Sequence, residues 1–443
     1  MKKMERRSII CLTLAAVLLI GTILFVVRFV KYGGKWATFY GNQSLYTNGM
    51  LTRGAVYDTN GEVLLKNTAN GPEYNPDQEI REATVQIVGD AGENISTSVI
   101  SLMKDKIIGY SPITGIYNIS EKSNDIKLTI DADISRVAYE AMGQYNGFVS
   151  VYNYKTGDIV CMVSKPTFDP MNPPSSEAEQ ESGMFINKPI SSTMTPGSIF
   201  KTVTAAAAIE NIDDIDSFSY NCNGTRMING EPLKCYAPHG HVDFDQALAQ
   251  SCNGAFSVIG EELGASTMKE YVKKLGLTKS YNINGIHTQK GSFEFPENVP
   301  LNLGWACDGQ YKDLINPCSM MVYMGAVANG GKAANPNLIH HMVKVPSYTH
   351  QMIEPTTADQ LSEMMRNDVI TAYGQSNFPD LDIHAKTGTA EVGIKGADNG
   401  WFAGFISNPG KPYAFVVCME KSGYGGDAAA RVTNTVLQEI VNR

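Results

Sequence analysis

An apolar run of nineteen residues, Ile9 to Val27, broken only by Thr13, Gly21 and Thr22, sets the first limit on how this chain can fold. A helix of that length crosses the hydrocarbon core of a bilayer, about 30 Å thick. A buried core helix would have a similar composition. This run, however, stands at the N-terminus between Lys2, Lys3, Arg6 and Arg7 on one side and Arg28 and Lys31 on the other. No small-x-small cleavage site follows it, and cations stand where one would fall, which argues for an uncleaved anchor over a signal peptide. The flanking charges favour a cytoplasmic N-terminus only slightly. Residues 1–35 are therefore expected to be a cytoplasmic tip and single-pass membrane anchor, with the chain from about residue 36 outside the cell.

The net charge of −9 divides unevenly: residues 1–35 carry seven Lys/Arg against one Glu, which leaves −15 on the rest. An acidic body argues against nucleic acid as a partner, because that needs a basic face. The length of 443 residues provides for two or three domains. Of eight cysteines, Cys11 lies in the anchor, and Cys161, Cys252, Cys307, Cys318 and Cys418 fall in apolar sequence, where free cysteine acts as a small hydrophobe. Cys222 and Cys235 bracket a polar loop in a compartment where disulfides persist, so a bridge and two free thiols stay open as alternatives. A metal site is not expected, since the nearby His239 and His241 lack a paired-cysteine spacing.

Arg53 to Leu65 reads as two strands around an Asn60-Gly61 turn. Residues 36–125 are expected to form a small domain with no cluster of titratable residues. From residue 126 to 443 the pattern is tighter. Phe148 to Tyr152 and Ile159 to Val163 read as early strands; His384 to Val392, Trp401 to Ile406 and Tyr413 to Met419 read as late ones. Helix-rich sequence fills residues 198 to about 373 between them, and Ala428 to Val441 reads as a last helix. This order predicts an α+β domain whose sheet is completed from both ends.

The chemistry is carried by Thr195-Pro196-Gly197-Ser198-Ile199-Phe200-Lys201 and the Ala-rich run behind it. Pro and Gly beside a small hydroxyl residue, then apolar helix formers, read as a loop entering a helix. Ser198 then sits where free N–H groups favour negative charge, and Lys201 shares its helical face. A helix with no polar face is buried, and burial lowers a lysine pKa, so Lys201 can accept the serine proton. Ser-x-x-Lys recurs at Ser101 and Ser266, in sequence that reads as exposed amphipathic helix. Ser251-Cys252-Asn253 falls between two apolar helices, and Lys386-Thr387-Gly388-Thr389 opens a strand. Both have decoys: Ser219-Tyr220-Asn221 and Ser280-Tyr281-Asn282 in polar loop sequence, and Lys155-Thr156-Gly157 in a hairpin turn. Chain order and context select Ser198, Ser251 and Lys386.

The ordered trio resembles the S-x-x-K, S-x-N and K-T-G set of penicillin-binding proteins and serine β-lactamases. Arg53-Gly54, Leu128 to Asp131, Pro166 to Pro170, His239-Gly240, Ala328 to Gly331 and Trp401 to Phe405 make the chain most similar to a class B, monofunctional penicillin-binding protein. Gly309-Gln310-Tyr311 departs from an expected Gly-Gln-Gly, and the N-terminal domain is short. The resemblance implies a pedestal-like N-terminal domain below a transpeptidase domain, an antiparallel sheet with helices on both faces plus a helical subdomain. It implies peptidoglycan D,D-transpeptidation without a cofactor: Ser198 as nucleophile, Lys201 as base, and Ser251 and Lys386 relaying the proton to the leaving D-alanine. Asn253 would hold a substrate amide, Thr387 and Thr389 would bind the terminal carboxylate, Gly388 would belong to the same substrate-binding set, and N–H groups of Ser198 and Thr389 would form the oxyanion hole. The implied partners are stem peptides, β-lactams and a membrane-embedded glycan polymerase of the SEDS type. A D,D-carboxypeptidase, a class D-like β-lactamase or β-lactam sensor, and a scaffold in a wall-synthesis complex remain alternatives.

Overall fold

The computed structural model describes residues 2–39, 45–47, 50–110, 125–174, 183–341, 345–391, 393, 397–423 and 426–443. The apolar N-terminal run lies in one continuous helix, Lys2–Ala37, with its side chains exposed along the spanning stretch. That helix is long and apolar enough to cross a membrane.

Ala55–Tyr57 and Val63–Thr68 pair antiparallel around the predicted turn, Gly71–Tyr74 extends them, and Ile126–Lys127 adds a parallel strand against Ala55–Tyr57. This small sheet thus takes its last strand from just beyond residue 125. Val85 to Val88, apolar in sequence, lies on a helix, Gln78–Val88, capped by the Asp77 side chain. The same helix carries Arg81, whose guanidinium grips the Asp169 carboxylate through two 2.7 Å hydrogen bonds. That pair ties the N-terminal segment to the Pro166–Pro170 turn.

The main sheet has the strand order 383–390, 399–406, 413–419, 147–153, 159–165, antiparallel throughout. Tyr413–Met419 pairs with Gly147–Asn153, so the late strands join the early ones as the sequence predicted. Both faces are covered, which is why Asn399–Ile406 is buried along its whole length instead of alternating. Helices Ala132–Met142 and Asp427–Asn442 cover one face; helix Pro317–Ala328 covers the other. The strand read as His384 to Val392 spans Ile383–Ala390, and Val392 lies outside the described residues.

Between the two parts of the sheet lie the buried helix Lys201–Asn211 and the long helix Asn253–Lys274, bent at Gly264. This region is less uniformly helical than its sequence suggested. Ser219–Cys222 pairs with Gly240–Asp243, and Thr225–Ile228 pairs with Glu231–Lys234. The Ser219-Tyr220-Asn221 decoy is therefore strand, not loop. All eight cysteines are free: Cys222 Sγ and Cys235 Sγ stand 3.6 Å apart, so the bridge left open by the sequence is not formed.

Candidate active site

Ser198 occupies a single 3-10 turn, Gly197–Phe200, that runs without a break into helix Lys201–Asn211. The turn lies directly on the strand of Lys386. Gly197 has φ +58°, and a Cβ there would fall 2.2 Å from the Thr389 carbonyl oxygen. Only glycine permits that approach. Gly388 closes the seam from the other side, where a Cβ would meet Ile199 Cγ2 at 2.9 Å. Two glycines thus set the spacing between the serine turn and the Lys386 strand.

Lys201 is completely buried, as its Ala-rich helix predicted. Its Nζ lies 3.0 Å from Ser198 Oγ, 2.8 Å from Asn253 Oδ1 and 3.0 Å from Asp308 Oδ1. The Asn253 oxygen can only accept, as can Asp308 while it is ionised, so Ser198 is then the neighbour able to donate toward a neutral amine. Burial is the largest influence on Lys201 and pushes its pKa below the ordinary lysine value; Asp308 opposes this and the charge of Lys386 adds to it. Burial pushes the Asp308 carboxyl up to about 7 against the pull of Lys201. Asp308 meets Lys201 at ion-pair distance, and neither of its oxygens has another donor among the described residues. Asn253 is held in turn, its Nδ2 donating to the Lys234 carbonyl at 2.8 Å.

Ser251 sits between helix Phe244–Ala249 and helix Asn253–Lys274 at φ 53°, a left-handed conformation uncommon for serine. Its buried Oγ has no hydrogen-bond partner among the described residues. The relay expected between Ser251 and Lys386 is not hydrogen-bonded in this state. Lys386 Nζ instead lies 3.2 Å from Tyr373 Oη and 3.4 Å from the Thr387 carbonyl oxygen. Burial lowers Lys386 to about 8, with Asp368 opposing, while burial raises Asp368 to about 8. Tyr373 Oη also lies 3.1 Å from Thr387 N and 3.2 Å from Thr387 Oγ1, so the expected carboxylate ligand is already engaged.

These groups line one cleft of about 290 Å³, with Ser198, Ser251, Asn253, Thr387, Gly388 and Thr389 on its wall. Lys201 and Lys386 lie beneath that wall, fully buried. The motif copies selected from the sequence are the ones the fold brings to this cleft, whereas Lys155-Thr156-Gly157 forms the turn between Gly147–Asn153 and Ile159–Lys165. It missed Asp308, Asp368 and Tyr373, which reach the lysines from other elements and carry no spacing signal. Trp305, Tyr236 and Gln310 also line the wall, and Gln310 Nε2 donates to the Thr389 carbonyl at 3.0 Å. The Gly309-Gln310-Tyr311 segment did carry a signal. Tyr311, where a glycine was expected, keeps a left-handed φ of 64°.

One further cluster has the composition of a metal site. Cys222, Cys235, His239 and Cys252 place their ligand atoms within 4.8 Å of one another. Linear spacing gives no sign of this cluster, because the fold brings its residues in from four separate places.

Residues 147–438 match the penicillin binding protein transpeptidase domain family. The chain is similar to Stage V sporulation protein D of Bacillus subtilis, 26% identical over 71% of this chain and 53% of that protein. It thus spans about half the length of that relative. It is 25% identical to the peptidoglycan D,D-transpeptidase PbpA of Mycobacterium tuberculosis over 72% of each chain. Among solved structures, penicillin-binding protein A from M. tuberculosis as its ceftriaxone acyl-enzyme complex superposes with a TM-score of 0.76 at 23% identity, covering 87% of this chain and 97% of that one. A D,D-transpeptidase domain from Eggerthella lenta gives the same TM-score at 22% identity, over 88% and 98% of the two chains. The fold, the ordered trio in one cleft and the matched span agree: the chain belongs to the penicillin-binding protein transpeptidase family, among its class B, monofunctional members.

Proposed function

We propose that the protein is a peptidoglycan D,D-transpeptidase that works through an acyl-enzyme on Ser198. The observation that carries this reading is the contact between the Ser198 hydroxyl and a fully buried Lys201 amine held below its ordinary pKa. Ser198 Oγ attacks the carbonyl between the two D-alanines of a stem peptide as its proton passes to Lys201 Nζ. The C–O bond forms, the C–N bond breaks, and the departing D-alanine nitrogen takes a proton from the lysine side of the cleft. An amine of a second stem peptide then attacks the ester and releases Ser198. The N–H groups of Ser198 and Thr389 are suited to the oxyanion, and losing one such donor typically costs about 10²–10³ in rate.

Ser251, Asn253, Lys386 and Thr387 take the parts expected of them, with one condition. Thr387 Oγ1 must exchange its Tyr373 contact for the substrate carboxylate, and Ser251 Oγ must gain the partner it lacks. A strained hydroxyl on the wall of the cleft, without a partner among the described residues, is suited to that exchange. The N-terminal helix would anchor the protein with its N-terminus in the cytoplasm and the cleft outside. Together with residues 36–125 it would contact a membrane-embedded glycan polymerase.

Incubating the detergent-solubilised full chain with a fluorescent penicillin, then mapping the labelled peptide, tests the reading. Label is expected on Ser198, absent in Ser198→Ala and much slowed in Lys201→Ala. Label on another residue, or no label at all, would overturn it.

A further inference from the structure

We propose that Cys222, Cys235, Cys252 and His239 form a tetrahedral zinc site that fastens the Ser251–Asn253 loop of the cleft to the neighbouring hairpins. The proposal stands on the cluster itself and does not depend on the transpeptidase reading.

The ligands arrive from separate elements. Cys222 ends strand Ser219–Cys222, and Cys235 follows strand Glu231–Lys234. His239 precedes strand Gly240–Asp243, and Cys252 caps helix Asn253–Lys274. Cys222 Sγ lies 3.6 Å from Cys235 Sγ and 3.4 Å from His239 Nδ1, and Cys235 Sγ lies 3.8 Å from Cys252 Sγ. Zinc–sulfur bonds of about 2.3 Å and a zinc–nitrogen bond of about 2.0–2.1 Å put tetrahedral S···S edges at about 3.8 Å and S···N edges at about 3.6 Å. The three short spacings match those edges, and the remaining pairs of ligand atoms lie within 4.8 Å, so the four groups surround a space of the size a zinc ion needs.

The surroundings suit thiolates. Gly254 N donates to Cys235 Sγ at 3.3 Å, and Ala255 N donates to Cys252 Sγ at 3.5 Å. Both donors belong to the first turn of a 22-residue helix, whose positive end favours sulfur in its charged form. Backbone N–H groups directed at ligating sulfur are the outer layer expected of a thiolate metal site. A disulfide accounts for the cluster less well. Cys235 Sγ is nearly equidistant from two thiols, and a bond to either needs closure to about 2.0 Å. Either bond would also leave the third thiol and the imidazole unused. Four protein ligands leave no open position, so the ion would be structural. Its position is what matters: Cys252 stands between Ser251 and Asn253, the residue that accepts from Lys201.

The full chain, solubilised in detergent and purified without chelator, should carry one zinc per molecule by elemental mass spectrometry. Cys222, Cys235 and Cys252 should resist alkylation until an organomercurial displaces the metal. Cobalt(II) exchanged into the site should show sulfur-to-metal charge-transfer absorption. Cys252→Ser should lower zinc affinity by at least about 10–100-fold, the loss typical even of an outer-layer partner. His239→Ala should bind more weakly with its thiols still protected. A metal-free chain with all three thiols open to alkylation, or with a Cys222–Cys235 or Cys235–Cys252 disulfide in the peptide map, would overturn the proposal. So would zinc retained undiminished in Cys222→Ser/Cys252→Ser. Neither the wild-type metal content nor the alkylation pattern depends on whether a variant folds or whether Ser198 reacts with penicillin.

Discussion

Replacing Asp308 with asparagine isolates the electrostatic control of Lys201. The side chains are nearly the same size, so the change removes charge and little else. Asp308 Oδ1 stands 3.0 Å from Lys201 Nζ, and both residues are buried. At that separation and an effective dielectric of about 20, Coulomb's law gives about 5 kcal/mol, or roughly four pKa units. That figure is an upper limit, because burial already holds Asp308 at about 7 and the carboxyl is only partly charged near neutrality. A shift of about one to two units is the expected remainder. The sign follows directly: the carboxylate favours the ammonium form, so its loss lowers the Lys201 pKa. Neutral Lys201 is the base, so the acidic limb of Ser198 acylation should move to lower pH in Asp308→Asn. The second-order acylation rate of the full chain with a chromogenic penicillin, followed from about pH 5 to pH 9, measures that limb. An acidic limb that stays in place or moves upward would show that Lys201 is not the group it reports.

Asp368 acts on the other lysine. Its charge raises Lys386, which burial holds at about 8, so Asp368→Asn should move the alkaline limb of the same profile to lower pH, and an upward shift would contradict the assignment. Gly197→Ala must place a Cβ 2.2 Å from the Thr389 carbonyl at a positive φ. It should cost about 1–3 kcal/mol in thermal stability and slow penicillin acylation at the same time; unchanged stability would mean that the seam is not tight. Tyr311→Gly should do the reverse. Relief of a left-handed tyrosine is worth about 1–2 kcal/mol, partly offset by the lost 3.3 Å contact with Glu294, so the unfolding midpoint should rise. A lower midpoint would show that the tyrosine ring contributes more than its backbone costs.

The sequence made some of these features legible and hid others. Strand Tyr413–Met419 was readable because seven apolar residues end at Asn-Pro-Gly on one side and polar residues on the other. The burial of Lys201 was readable because four consecutive alanines leave its helix no polar face. The strands between Ser219 and Asp243 were not, because they are four residues long, mostly exposed and polar. Their pairing, rather than their composition, makes them strands. Asp308, Asp368 and Tyr373 were hidden for a related reason. A partner that approaches a buried lysine from another helix leaves no periodicity in the chain. The cysteine–histidine cluster was dismissed on linear spacing, and two hairpins plus a helix N-terminus assemble it anyway. The left-handed Ser251 was equally invisible, since nothing about a serine between two helices announces its φ.

The strand at the middle of the main sheet has a consequence for how the molecule is made. Tyr413 to Met419 is inserted between Asn399–Ile406 and Gly147–Asn153, whose residues emerge from the ribosome hundreds of positions earlier. Until Tyr413–Met419 is synthesised, the early hairpin keeps an apolar, unpaired margin of the kind that invites strand addition by other chains. Closing so long a loop costs little more entropy than closing a moderate one, yet such distant pairings form slowly. Messages truncated just upstream of codon 413 should therefore yield aggregates and not partly active enzyme. Birth of the reactive groove thus waits on the arrival of the Tyr413–Met419 strand.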